Sequence, residues 1–295
     1  MKEATVVAGS PHDAITRSRM RFQRTEALLC GLPGAELDLS VQAAVLGVTA
    51  AELSSFIAQS SDAIERAAAQ LTSGDPDDID VAREGLRGRR VVLFGDSITA
   101  DHESWAEILK IALAPEVEIV TSGRSGDTTG DLLARFASSV REVHPNLVVV
   151  LAGTNDARQY RPGRGADTLG PCAVSVLESE KNFAELDRLI FAVTGEHGIF
   201  IAPPPIVESW LSADPSAELA GVGWCQENVT ARADVVERIF PSRVARLERA
   251  FSSGHKRESM MLPDGLHPNL RGQMAIARVA LTALAHIVRS EAAPR

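Results

Sequence analysis

From Gly88 onward the apolar positions fall into short unbroken runs separated by helically spaced ones, whereas residues 1–71 show helical spacing alone. Val91-Val92-Leu93-Phe94, bracketed by Arg89-Arg90 and Gly95, reads as a strand buried on both faces. Val117–Val120, Leu147–Leu151 and Ile199–Ala202 read the same way. Between them the spacing predicts helices over 103–113, 129–140, 179–194, 227–250 and 270–289. This alternation predicts a parallel sheet with helices on both faces. A fifth strand is hard to place between Ser242 and Pro263, where Met260-Met261-Leu262 is the best apolar run.

The N-terminal region carries helical patterns over Ile15–Leu29, Leu39–Leu46 and Ala50–Leu71. Gly47 separates the second and third, and Thr49-x-x-Glu52 is a capping box opening the third. Turn residues and charge over 72–88 predict a linker, giving a helical domain 1–71 and a second domain 89–295. The Ala43–Leu53 segment resembles a helix-turn-helix, which raises a DNA-binding regulator as an alternative. Ala50–Ser60, the helix that would enter a groove, contains Glu52 and no Lys or Arg, where phosphate contact demands them. A net charge of −9 also argues against nucleic acid as a partner. Packing or homo-oligomerisation is the expected role of this region.

No apolar run approaches membrane-spanning length, and the N-terminus lacks the apolar core of a signal peptide, so no membrane association is expected. Cys30, Cys172 and Cys225 are odd in number and scattered. They fit neither a disulfide framework nor a zinc site, and point to a reducing, cytoplasmic setting.

In an open parallel sheet, ligands bind beyond the carboxyl ends of the strands. Gly95-Asp96-Ser97 follows the first strand, Ser122 to Thr129 follows the second, and Gly153-Thr154-Asn155-Asp156 follows the third. A fourth polar turn, Asp264-Gly265-Leu266-His267-Pro268-Asn269, precedes the last helix, with Asn269 as its expected N-cap. Ser97 thus lies at both a strand end and a helix start, where free N–H groups favour an oxyanion. Asp96 and Asp156 read as turn or helix-start carboxylates, and His102 has no evident assignment.

These four blocks resemble, in order, those of the SGNH hydrolases, also called the GDSL esterase/lipase family. The resemblance spans roughly residues 88–289. It implies a flavodoxin-like α/β sandwich, with Ser97 as nucleophile, Asp264 and His267 completing a triad, and Ser97, Gly126 and Asn155 as oxyanion donors. One departure is Thr121, where the second block usually opens with asparagine.

The residue types suit that chemistry independently. A serine hydroxyl needs a base such as neutral imidazole, and a carboxylate fixes the tautomer of that imidazole. Neutral amide donors serve an oxyanion, which a carboxylate at position 155 would repel. Two long connections, 157–178 and 203–226, are the expected substrate walls. They carry Arg158, Tyr160, Arg161 and Arg164, and Trp210 and Trp224; Arg124 is a further candidate contact. The expectation is a serine esterase acting on a small acyl ester without metal or organic cofactor. Acyl transfer, thioester cleavage and amide cleavage by the same site are the alternatives.

Overall fold

The computed structural model describes residues 11–24, 38–163, 168–252 and 257–292. The expected continuation of the first helix over 25–29, Cys30 and Arg164 lie outside the described residues.

Five strands form a parallel sheet: β1 (Arg90–Gly95), β2 (Glu118–Gly123), β3 (Leu147–Leu151), β5 (Ile199–Ile201) and β7 (Val244–Ala245). Their order is β2-β1-β3-β5-β7, the flavodoxin-like arrangement. The chain winds outward from β1 in one direction and from β3 in the other, so the switch point lies between these two strands. Side chains alternate across the sheet. Val91, Leu93, Val149 and Leu151 join one core, while Val92, Phe94, Val148 and Val150 join the other. Burial on both faces explains why these strands read as unbroken apolar runs, each large side chain contributing about 1.5–3 kcal/mol.

One layer holds α6 (Trp105–Ala112) and α13 (Leu270–Ala292), and the other α7 (Thr129–Ser139), α8 (Val176–Thr194) and α11 (Gln226–Ile239). The pattern over 227–250 is not one helix. Pro241 disfavours a helical Phe240, which adopts φ −128°, ψ 51°, and the chain then enters β7 and the short α12 (Glu248–Ser252). Met260-Met261-Leu262 supplies only an isolated bridge, Met261 to Pro268.

Ahead of the sheet lie α1 (Pro11–Phe22), α2 (Leu39–Leu46), α3 (Ala50–Gly74) and α4 (Pro76–Gly85). Gly47 caps α2 at φ 75°, Thr49 and Glu52 form the expected capping box, and α2 and α3 meet at 97°. The expected linker is instead a helix. Pro76 takes its first turn together with Asp77 and Asp78, while Ile79, Ala82 and Leu86 enter the main core. Ile64, Ala67, Ala68 and Leu71 of α3 are in the same core, which mixes the expected first domain with the second. No single described helix is long and apolar enough to cross a membrane.

Candidate active site

At the carboxyl end of β1, Ser97 opens the four-residue helix α5 (Ser97–Ala100). Its Oγ lies 2.9 Å from His267 Nε2, and His267 Nδ1 lies 2.7 Å from Asp264 Oδ2. The other oxygen of Asp264 accepts the backbone N–H groups of Leu266 and His267, each at 2.9 Å. Burial alone would raise the Asp264 carboxyl, but the facing imidazole and these hydrogen bonds hold it below 3.8. It is therefore an ionised acceptor, which places the imidazole proton on Nδ1 and leaves Nε2 free to take the Ser97 proton. For His267, burial depresses the pKa, yet Asp264, Asp101 and Asp96 together keep it above 6.5.

The turn carrying this pair is fixed from below. Gly265 adopts φ +70°, and a Cβ there would stand 2.5 Å from the Val207 carbonyl oxygen. Only glycine fits, and its carbonyl accepts the Val207 N–H at 2.7 Å. Asn269 caps α13 as expected, its Oδ1 accepting from Arg271 and Gly272.

Ser97, Gly126 and Asn155 each carry a donor just beyond a strand end. As the first residue of α5, Ser97 has no helical carbonyl for its own N–H. Gly126 turns with φ +86°, a conformation that costs a side chain dearly. Asn155, at 5% exposure, donates from Nδ2 to the Asp127 carbonyl at 3.0 Å, which leaves its second amide hydrogen available. All three follow the ends of β1, β2 and β3, so the site straddles the switch point.

The neighbouring carboxylates are structural. Asp156 accepts from Thr129 N, Thr129 Oγ1 and Ser179 Oγ at 2.8, 2.7 and 2.6 Å, tying the third turn to α7 and α8. Asp96 caps α5 through the Ile98 N–H at 2.9 Å, and burial pushes its carboxyl up to about 7. His102 packs edge-on against Phe56 with centroids 5.6 Å apart. Burial, with Arg24 and Arg21 nearby, pushes its pKa down to about 3, so it is neutral. Thr121, at the departure from the family pattern, has a buried hydroxyl without a partner among the described residues. Among the described residues, no three His, Cys, Asp or Glu side chains converge as metal ligands.

A model of the GDSL-like lipase/acylhydrolase family matches residues 93–275. The chain belongs to this family. Curated relatives include an uncharacterised lipoprotein, YqeF, of Bacillus subtilis, 33% identical over 91 residues, and an arylesterase of Vibrio mimicus, 33% identical over 81 residues. These alignments cover 28% and 25% of this chain and span 37% and 40% of those relatives' lengths. Among solved structures, a lipase/acylhydrolase of Enterococcus faecalis matches with a TM-score of 0.54 at 24% identity, covering 68% of this chain and 96% of its own. An acetylxylan esterase of Geobacillus stearothermophilus matches with a TM-score of 0.50 at 23% identity, covering 67% and 94%. These likenesses establish the fold.

Beyond the family motifs, the two long connections are stitched together by β4 (Gln159–Tyr160) and β6 (Val222–Gly223), an antiparallel pair too short for periodicity to reveal. The second also holds α9 (Glu208–Ser212) and α10 (Pro215–Leu219). Trp224, 7% exposed, donates from Nε1 to the Thr154 carbonyl at 2.9 Å, while Trp210 remains 36% exposed. Both tryptophans border a cavity of about 1090 Å³ together with Asp264 and His267. The expected polar contacts lie elsewhere. The Arg158 guanidinium stands 3.9 Å from where a Gly126 Cβ would be and 5.6 Å from the Tyr160 ring centre, with Tyr160 51% exposed. Arg124 is exposed, its backbone N–H bonded to the Gly95 carbonyl at 3.0 Å, and the Arg161 N–H is bonded to Gly221 at 2.8 Å. None of these four residues borders the cavity.

Three residues that the sequence reading did not single out complete the site. Arg135 on α7 stacks over Phe94 at 4.4 Å and donates to the Gly95 carbonyl at 2.8 Å and to Ser122 Oγ at 2.9 Å, pinning the ends of β1 and β2. Gln273 on α13 reaches back to the segment after Ser97. Phe22 on α1 stacks on His267, with ring centroids 4.0 Å apart. An arginine at helical spacing reads as solvated, and nothing local announces a partner so distant in sequence.

Proposed function

We propose that the protein hydrolyses small carboxylic esters through an acyl-serine intermediate. The observation that carries this reading is the continuous hydrogen-bond chain from Ser97 Oγ through His267 to Asp264 at the sheet's switch point. Ser97 Oγ attacks the ester carbonyl as its proton passes to His267 Nε2, and Asp264 stabilises the imidazolium. The Ser97 and Gly126 N–H groups and the Asn155 amide receive the oxyanion. The imidazolium then protonates the departing alkoxide, and water repeats the sequence to release the acid. Family membership and the arylesterase and acetylxylan esterase among its relatives favour ester hydrolysis over other acyl chemistry.

The test is turnover of p-nitrophenyl esters across a pH series. Because attack needs neutral imidazole, kcat/KM should climb with pH through a pKa held above 6.5. Activity should survive EDTA. A flat profile across roughly pH 5 to 8, or EDTA inactivation reversed by zinc, would reject the mechanism.

Asn155 offers a sharper check on the oxyanion site. Asn155→Ala should lower kcat about 10² to 10³-fold with little change in KM, since the donor acts on charge that develops only in the transition state. Asn155→Asp should be at least as damaging, because a carboxylate opposes the oxyanion. A folded Asn155→Ala enzyme with undiminished kcat would displace this residue from the oxyanion site.

A further inference from the structure

We infer that the cavity between α1 and the 203–226 connection receives the alcohol portion of the ester, and that Phe22 determines which alcohols fit. The inference rests on the hydrolase reading above. In that reaction the acyl carbon bonds Ser97 and its oxygen faces Ser97 N, Gly126 N and Asn155, whereas the leaving oxygen must reach His267 Nε2 to collect a proton. The cavity is bordered by His267 and Asp264 and by none of the three oxyanion residues. It thus adjoins the base while Ser97 itself lies outside its lining, the position the inference assigns to the departing alcohol.

The walls indicate the class of alcohol. Phe22, Trp210, Trp224, Leu211 and Leu266 offer aromatic and apolar surface, and a volume of about 1090 Å³ far exceeds what methanol or ethanol needs. An aromatic or similarly bulky apolar alcohol matches this lining.

Phe22 is the wall in direct contact with the reacting base. It is 4% exposed and nearly parallel to the imidazole, at 23°. Polar bonds flanking it hold the ring in place. Arg21 pairs with Asp101 at 3.0 Å and Glu103 at 2.8 Å, and its carbonyl accepts the His102 N–H at 3.1 Å. Arg24 donates to the Ala100 carbonyl at 2.7 Å and to Glu107 at 3.0 Å. The end of α1 is thereby bolted to the segment that immediately follows the nucleophile. The N-terminal region thus contributes a wall of this cavity, although the family resemblance begins only at about Gly88.

The test compares two substrate series on the full chain: acetates of ethanol, phenol and 2-naphthol, and p-nitrophenyl esters from acetyl to octanoyl. Phe22→Ala should lower kcat/KM for 2-naphthyl acetate relative to ethyl acetate about tenfold or more, mainly through KM, as expected when a pocket loses a ring. Phe22→Leu should fall between Phe22→Ala and wild type, and the order of preference among acyl chains should not change. Trp210→Ala, altering a partly exposed wall, should move the same ratio in the same direction. A folded Phe22→Ala enzyme that shifts acyl preference while keeping the alcohol ratio, or shifts neither, overturns the inference. Should Phe22→Ala not fold, the same criterion applies to Phe22→Leu and Trp210→Ala. A wild type that cleaves no member of either series would instead overturn the hydrolase reading itself.

Discussion

Ser97→Ala is expected to abolish ester turnover, with a loss on the order of 10⁶ in kcat, and to prevent covalent labelling by a fluorophosphonate probe. The hydroxyl is the sole partner of His267 Nε2 among the described contacts, so its removal leaves the base with nothing to activate but water. The variant should fold normally. The α5 cap is made by Asp96 to the Ile98 N–H, not by the serine side chain, and a methyl group fits where the hydroxymethyl stood. Undiminished turnover in a variant with an unchanged melting temperature would mean that another nucleophile operates.

Asp264→Asn should be the next most damaging change, lowering kcat by up to about 10⁴-fold while sparing the fold. The asparagine carbonyl oxygen can still accept the Leu266 and His267 N–H groups, so the turn keeps its internal bonds. The amide nitrogen then faces His267 Nδ1, and a donor there demands the opposite tautomer, with the proton on Nε2, where it blocks abstraction from Ser97. Loss of the Asp264 charge also removes a main influence holding the imidazole pKa up, so the rising limb of kcat/KM should move to lower pH. An unaltered rate and an unmoved limb would remove Asp264 from the proton relay.

What could be read along the chain was whatever is local. β1, β3 and β5 announce themselves because both faces are buried, the edge strand β2 follows from its short apolar run, and Ser97, Gly126, Asn155, Asp264 and His267 sit in turns whose glycines and polar residues stand out. What was hidden depends on distance or brevity. Two residues, Val244 and Ala245, are too few to show a period, and β4 and β6 share that limit. Asp75-Pro76-Asp77-Asp78 carries turn residues, yet the same residues start a helix. Asp75 is paired with Arg278, and Asp78 with Thr282 and Arg289, all from the far end of the chain. Phe22 and Arg135 have no neighbouring signal for their roles, since the partners that define them lie on other elements.

Gln273 gives the assembly of the site a particular character. Fully buried on α13, six residues after His267, it accepts the Trp105 N–H at 3.0 Å and donates to the Ile98 carbonyl and to Asp101, each at 3.2 Å. One amide thus ties the segment after Ser97 to the helix that follows the His267 turn, with Ser97 and His267 themselves 170 residues apart. Turnover should consequently depend on docking of the last helix as well as on the sheet: Gln273→Ala is expected to lower kcat by loosening the register between Ser97 and His267, and an unchanged kcat in the folded variant would show that the register is held elsewhere.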